Sequence, residues 1–229
     1  MKIAFMGRQW DWNQEDAKLI QVNGWINDLN AALDVVAEPF GSVAIQAGGA
    51  MGVWPWVMAE HFHHVYTFEP HPVNFECLER NVEDRPNITA FHAGLSDHDG
   101  FAFVKLPPSE VSNAGAYYLK EVAAGVPSPD ANTVPIFKLD TLVHDGDITR
   151  TIPVGLIQLD IEGLELKALQ GAREIIKRDQ PVIMVEEKPL PQDKETGHVV
   201  GATQQWLINE MGYTLHRSVH RDLIFVPRK

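Results

Sequence analysis

The stretch VAIQAGGAMGVWP, residues 43–55, joins an apolar strand to a turn of small residues and then to a helix. Its apolar run predicts a buried strand over Val43–Ala47. Pro55 suits the first turn of the following helix, because an amide hydrogen has no helical partner there. Four small residues form the turn between them: Gly48, Gly49, Ala50 and Gly52. Such a turn lets a ligand lie against the main chain, at the carboxyl end of a strand where an open α/β sheet binds ligands.

The order of strand, turn and helix recurs along the chain, which predicts βαβ units and a parallel sheet. Two late strands joined by a short connection should pair antiparallel. We therefore expect an α/β fold with a doubly wound, mostly parallel sheet. Further strands are predicted at 65–68, 88–92, 101–106, 133–137, 156–159, 182–185, 213–216 and 223–226, and helices at 53–62, 72–82, 164–178 and 202–211.

The length of 229 residues and the 45% hydrophobic content suit a single domain over 1–229. Within it, residues 1–40 are interpreted as an N-terminal helical segment with a hinge at Asn23-Gly24, from the apolar spacing between residues 12 and 37. Residues 107–132 are rich in Pro, Gly, Ser and Asn. We interpret them as a long surface excursion and a candidate substrate-covering loop.

Composition limits the function classes. A formal charge of -12 opposes tight binding to a phosphate backbone, so no long nucleic-acid partner is expected. No apolar run approaches eighteen residues and the first residues lack a signal-peptide pattern, so we expect a cytoplasmic protein without a membrane partner. The single Cys77 excludes an internal disulfide and a thiolate metal cluster, and no metal site is predicted.

The glycine turn does not match two common nucleotide-binding patterns. A dinucleotide fold has glycines at the first, third and sixth positions, but counting from Gly48 the third and sixth are Ala50 and Val53. Counting from Gly49 fails as well. No Gly-Lys-Ser or Gly-Lys-Thr follows, so the phosphate-cradling loop is absent too.

Two acidic residues end predicted strands at the same edge of the sheet. Glu69 stands seventeen residues after Gly52, where a carboxylate can accept hydrogen bonds from both hydroxyls of a ribose. The alternative is that Glu69 caps the helix that begins near Pro72. Asp160 ends another strand at the same edge of the sheet, and Glu162 follows in the first turn of a helix, where negative charge also favours the helix dipole.

Five segments together resemble the FkbM family of methyltransferases over roughly residues 40–187: VAIQAGGAMG, VYTFEPHPVNFECLERNV, AFHAGLSDHDG, LIQLDIEGLELKALQGAREII and PVIMVE. The most specific elements are the DIEGLE stretch, the strand ending in Glu186, and FEPHPVNF. The resemblance implies a Rossmann-like class I methyltransferase that uses S-adenosyl-L-methionine, with an antiparallel C-terminal strand. That strand agrees with the C-terminal hairpin inferred above.

The resemblance also implies a set of cofactor-binding residues: Gln46, Gly48, Gly49, Gly52, Glu69, Ser96, Asp97 and Asp160. Glu69 matches the acid that binds ribose, and Ser96 and Asp97 match the region near the adenine. This chain departs from the family pattern at three positions: Gln46 replaces an Asp, Ala50 an Asn, and Gln158 a frequent Lys. The first change removes a charge that would attract the ammonium group of the cofactor.

Methyl transfer needs alignment and, for a hydroxyl acceptor, removal of a proton. Asp160 is the first candidate for contact with the methionine amino group or the acceptor. Glu186 and Glu162 are the candidates for orienting the acceptor or taking its proton. We expect O-methylation of a small-molecule, sugar or nucleotide acceptor. Two alternatives stay open: a catalytically silent adenosine-binding module, favoured by Gln46 and Ala50, and a nicotinamide-dependent oxidoreductase, which shares the fold class.

Overall fold

A computed structural model describes residues 1–14, 22–106, 116–122, 133–190 and 193–228. Within these ranges the strands are β1 (Lys2–Phe5), β2 (Arg8–Asp11), β3 (Val43–Ala47), β4 (His64–Phe68), β5 (Ile88–Phe91), β6 (Gly94–Leu95), β7 (Gly100–Lys105), β8 (Tyr118–Glu121), β9 (Thr133–Phe137), β10 (Val154–Leu159), β11 (Val182–Glu186), β12 (Tyr213–Val219) and β13 (Asp222–Pro227). The α-helices are α1 (Val22–Leu33), α2 (Val53–Met58), α3 (Pro72–Val82), α4 (Leu139–Asp145), α5 (Glu165–Gln170), α6 (Arg173–Asp179), α7 (Asp193–Thr196) and α8 (Ala202–Asn209).

The main sheet has seven strands in the order β12-β13-β11-β10-β3-β4-β5. The five strands from β11 to β5 are parallel, and β13 runs antiparallel to both β11 and β12. Helices cover both faces: Leu169 of α5 and Ile175 of α6 pack in one core, and Leu29 of α1 and Met58 of α2 pack in the other. The predicted doubly wound, mostly parallel sheet with an antiparallel C-terminal strand is therefore confirmed.

The N-terminal segment differs from the prediction. Residues 1–40 were expected to be helical, but β1 and β2 form an antiparallel hairpin before α1 begins. Its Trp10 and Trp12 are fully buried against Met51 of the glycine turn, and the Asn81 side chain binds the main chain of Asp11 and of Met51. Helix α1 begins at Val22, so Asn23 and Gly24 lie in its first turn, and residues 15–21 on the other side of the predicted hinge lie outside the described residues. The hairpin thus supports the glycine turn from outside the sheet.

A second, four-stranded sheet in the order β6-β9-β7-β8 was not predicted as a unit. Its buried side chains Leu119 and Ile136 pack against Leu164 and Ile161, which follow β10. The candidate substrate-covering loop, 107–132, lies mostly outside the described residues. Its middle part, 116–122, is described and contains β8. The second sheet therefore packs against the segment that carries Asp160 and Glu162.

The helix predicted over 164–178 is divided into α5 and α6. The division lies at Gly171, where an added Cβ would come within 2.1 Å of the Ser96 carbonyl oxygen. The close approach of the Ser96 main chain requires glycine at this position. A break of this kind leaves no mark in the apolar spacing, which continues from one helix into the next.

Candidate functional site

The glycine turn is packed directly against the end of β10. Gly48 has a φ of +86°, and a Cβ there would lie 2.0 Å from the Asp160 carbonyl oxygen. A Cβ on Gly49 would lie 2.5 Å from the Leu78 side chain of α3. The Asp160 amide donates to the Ala47 carbonyl, which joins the tips of β3 and β10. Side chains are therefore excluded from the turn, and its main chain is open to the cavity above it.

Gln46 is buried one residue before the end of β3 and both ends of its amide are engaged. Its Nε2 donates to the Gly48 carbonyl at 3.0 Å, and its Oε1 accepts from the Thr67 hydroxyl. A carboxylate at this position would accept from Thr67 but could not donate to Gly48. Gln46 thus holds the shape of the turn by a contact that an aspartate cannot make.

Glu69 connects the glycine turn to the start of α3. One carboxylate oxygen accepts from the Ala50 amide at 2.7 Å and the other accepts from the His71 amide at 2.8 Å. The residue is buried, and desolvation raises the pKa of its carboxyl to about 7, although these hydrogen bonds act in the opposite direction. The contact with His71 lies at the N-cap of α3, so Glu69 contributes to the helix start as well as facing the cavity.

A cavity of about 710 Å³ opens over the carboxyl ends of β3, β4 and β10. Its lining includes seven of the ten predicted site residues: Gln46, Gly48, Gly49, Glu69, Asp160, Glu162 and Glu186. Three other predicted residues, all of them described, do not line it: Gly52, Ser96 and Asp97. The Ser96 hydroxyl points instead to Glu121 of β8. The three residues that precede Ser96 in the chain line the cavity: Ala93, Gly94 and Leu95.

Three carboxylates meet beside the turn. One carboxylate oxygen from each of Asp160, Glu162 and Glu186 lies within 4.8 Å of the other two. The Lys188 ammonium group contacts Glu162 at 3.1 Å and also pairs with Glu186. Desolvation, followed by the charges of Glu186 and Glu162, raises the pKa of Asp160 well above its usual range, although its side chain reaches solvent through the cavity. Burial opposes the charge of Lys188, but the surrounding carboxylates raise its pKa.

The bend that carries this cluster is held by a buried carboxylate. Glu165, at the start of α5, accepts hydrogen bonds from the amides of Ile161 and Gly163, each at 3.0 Å. Desolvation raises the pKa of Glu165 to about 7. Glu162 and Gly163 both have positive φ, 56° and 107°. Glu165 therefore stabilises the strained bend that directs Glu162 towards Asp160.

Sequence reasoning missed six further residues that line the cavity: Trp12, Asp28, Lys188, His220, Arg221 and Asp222. The His220 ring contacts the Asp28 carboxylate at 2.8 Å and so links α1 to the turn between β12 and β13. Desolvation and the nearby Glu186 raise the pKa of Asp222 to about 7. Lys188 lies two residues after the predicted Glu186, but Asp222, the first residue of β13, reaches the cavity only through the pairing of β13 with β11.

The sequence profile of the Methyltransferase FkbM domain matches residues 47–215, well over half of the chain. The chain belongs to the FkbM methyltransferase family. Residues from the glycine turn through Glu186 to the first part of β12 fall inside this match. No helix in the described ranges has both the length and the apolar character needed to cross a membrane.

Individual relatives agree with the family assignment. "Methyltransferase 1" of Beauveria bassiana is 26% identical over 159 residues, which cover 62% of this chain and 63% of that protein. "Hexuronic acid methyltransferase AglP" of Haloferax volcanii is 25% identical over 122 residues, 53% of this chain and 46% of that protein. The structure of a methyltransferase FkbM from Methylobacillus flagellatus KT superposes with a TM-score of 0.51 at 18% identity, covering 84% of this chain and 44% of that one.

These matches span less than two thirds of the length of each relative. The structural likeness supports the fold, and the seven-stranded sheet with its reversed β13 is the class I methyltransferase arrangement. The residues at the cavity also suit S-adenosylmethionine. An open main-chain turn, a buried Glu69 next to it and the buried amide of Gln158, which has no hydrogen-bond partner among the described residues, lie on one rim of the sheet.

Proposed function

We propose that this protein transfers a methyl group from S-adenosyl-L-methionine to an oxygen atom of a small-molecule, sugar or nucleotide acceptor. The observation that carries the proposal is that one cavity over the carboxyl ends of β3, β4 and β10 contains both groups of residues. The glycine turn and Glu69 line one part of it, and the carboxylate cluster around Asp160 lines the part next to them.

The cofactor would be held by groups that are already positioned. Glu69 accepts hydrogen bonds from the ribose hydroxyls with the lone pairs that its contacts to Ala50, His71 and Asn74 leave available. The apolar side chains of Leu95 and Leu119, which line the cavity, would contact the adenine ring. When bound, S-adenosylmethionine supplies the methyl group of its sulfonium centre. This methyl group passes to a nucleophilic oxygen of the acceptor as the carbon–sulfur bond breaks.

Asp160 accepts the proton that the acceptor hydroxyl loses. Its raised pKa makes its carboxylate a stronger base than that of an ordinary aspartate. Glu162 and Glu186 are held by Lys188 and orient the acceptor beside Asp160. The cluster thereby provides one base and two fixed hydrogen-bond acceptors for a hydroxyl-bearing ligand.

Among these acceptors, the charge of the cavity favours an uncharged one over a nucleotide. Carboxylates outnumber cations on the acceptor side, where Asp28, Asp160, Glu162, Glu186 and Asp222 face Lys188 and Arg221. An added negative charge would be repelled there, as it would on a nucleotide phosphate. One relative is named as a hexuronic acid methyltransferase, so uronic acids belong in the acceptor panel beside neutral sugars.

Two measurements test the proposal. Isothermal titration of the wild-type protein with S-adenosylhomocysteine and with NAD should show binding of the former only. Transfer of labelled methyl from S-adenosylmethionine to a panel of neutral sugars, uronic acids, nucleotides and phenolic alcohols should then identify an acceptor. The Asp160→Asn variant should lose roughly 10²–10⁴-fold in turnover while binding S-adenosylhomocysteine within a few-fold of wild type.

The exposed Asp147, outside the cavity, provides the matched control, and Asp147→Asn should leave turnover unchanged. Tight binding of NAD without S-adenosylhomocysteine would favour the oxidoreductase instead. Binding of S-adenosylhomocysteine with no transfer to any acceptor would favour the silent adenosine-binding module. Full turnover by Asp160→Asn would remove Asp160 from the role of base.

A further inference from the structure

Gln158 is a buried amide without a hydrogen-bond partner in the part of the chain that the structure describes. The residue has no exposed surface, and neither its Nε2 nor its Oε1 bonds to another described group. It nevertheless lines the cavity over the strand ends. Buried amides are normally satisfied, so an unpartnered one facing a cavity points to a ligand that supplies both a hydrogen-bond donor and an acceptor.

The register of the sheet locates Gln158 beside the glycine turn. It is the direct neighbour of Gln46 on β3 and of Met184 on β11, and register neighbours in a parallel sheet share a face. The amide of Gln46 is already engaged by Gly48 and Thr67. Of these two neighbouring amides, Gln158 alone has both ends available to a ligand.

We propose that Gln158 binds the amino-acid end of the cofactor, with Nε2 donating to its carboxylate and Oε1 accepting from its ammonium group. The inference rests on the proposed use of S-adenosylmethionine. Glu69 directly follows β4, on one side of β3, and Gln158 lies on β10, on the other side. A ligand whose ribose is held by Glu69 therefore extends across the glycine turn with its opposite end towards Gln158.

The chemistry of an amide fits this end of the ligand. The amino-acid end is a zwitterion that needs a donor for its carboxylate and an acceptor for its ammonium group, and an uncharged amide offers both. A lysine at 158 would bind only the carboxylate. The acceptor atom at Gln158 therefore replaces the ammonium partner that is lost where Gln46 stands in place of an acid.

The test compares two ligands that differ only at that end, S-adenosylhomocysteine and 5′-methylthioadenosine, by isothermal titration. Gln158→Leu removes the amide at similar volume. It should weaken S-adenosylhomocysteine by about tenfold or more and change the affinity for 5′-methylthioadenosine by less than twofold. The register neighbour supplies the control, since Met184→Leu conserves volume on the same sheet face and should change neither affinity.

Thermal unfolding without ligand separates a binding role from a structural one. Gln158→Leu should unfold at the same or a higher temperature than wild type, because it removes an unsatisfied buried amide. A lower unfolding temperature together with equal losses for both ligands would refute the inference, as would unchanged affinity for S-adenosylhomocysteine. If wild type itself fails to bind S-adenosylhomocysteine, the proposed function falls and the inference with it. Unchanged affinity in the variant refutes only the role of Gln158.

Discussion

The contact between Gly48 and Asp160 predicts that Gly48→Ala is far more damaging than its small size suggests. Two separate costs add. The φ of +86° is left-handed, which costs about 1–2 kcal/mol for a residue with a Cβ. The new Cβ would also meet the Asp160 carbonyl oxygen at 2.0 Å, and this atom belongs to the main chain and cannot rotate away. Crowding of this kind costs typically about 1–3 kcal/mol more.

Gly201 separates these two costs. It has the same φ of +86°, but a Cβ there would have no atom within 4 Å. Gly201→Ala should therefore lower the free energy of unfolding by only the backbone part, about 1–2 kcal/mol. Gly48→Ala should lower it by a further 1–3 kcal/mol or so, towards the upper end, because relief of the contact must separate the tips of β3 and β10.

Urea unfolding followed by circular dichroism measures both variants, with titration of S-adenosylhomocysteine as a second readout. Gly201→Ala should keep its affinity, whereas Gly48→Ala should lose it because the glycine turn moves away from Asp160. Failure of Gly48→Ala to fold while Gly201→Ala folds is the extreme form of the same result. Equal destabilisation of the two variants, with binding retained in both, would refute the close contact between the main chains of Gly48 and Asp160.

Three further outcomes follow from the site. The pKa of Glu69 is raised to about 7, and the ribose hydroxyls bind its ionised form. The affinity for S-adenosylhomocysteine, measured by titration calorimetry, should therefore fall about tenfold from pH 8 to pH 6. Glu69→Gln should remove that part of the pH dependence. Glu165→Ala leaves the buried amides of Ile161 and Gly163 without their acceptor, and urea unfolding should show a loss of about 2–4 kcal/mol, against little change if water replaces the carboxylate. Ala50 has a φ of 46°, so Ala50→Gly should raise the free energy of unfolding by about 0.5–1 kcal/mol, and a loss would contradict the left-handed conformation.

The sequence predicted the main sheet well because its strands carry strong local signals. Val43–Ala47 is buried at every position, and Pro72–Val82 begins with a proline at its first turn and His71 at its N-cap. The N-terminal hairpin had no such signal. Its two-residue turn, Met6-Gly7, has positive φ at both positions, which normally selects Asn or Gly rather than Met. Contacts of Trp10 and Trp12 with distant residues hold it instead, and these cannot be read from spacing.

The sequence could indicate those cavity residues that lie at the ends of predicted strands. Glu69, Asp160 and Glu186 each lie at or next to the carboxyl end of a parallel strand, and the sheet brings all three to the cavity. Lys188 and Asp222 were missed because their place depends on how β11 pairs with β13, where Glu186 lies opposite Asp222. Pairing of this kind joins residues far apart in the chain and has no local signature.

An uncharged glutamine suits position 46 better than an acid because of the charge of the cavity around it. The wall of the cavity already holds several carboxylates, and desolvation raises the pKa of Glu69, Asp160 and Asp222. A further buried carboxylate at 46 would add repulsion and would leave the Gly48 carbonyl without its donor. An amide at this position satisfies the turn without adding charge. The ammonium group of the cofactor must then find its partner elsewhere on the rim, and the neighbouring strand offers the amide of Gln158, which has no hydrogen-bond partner among the described residues.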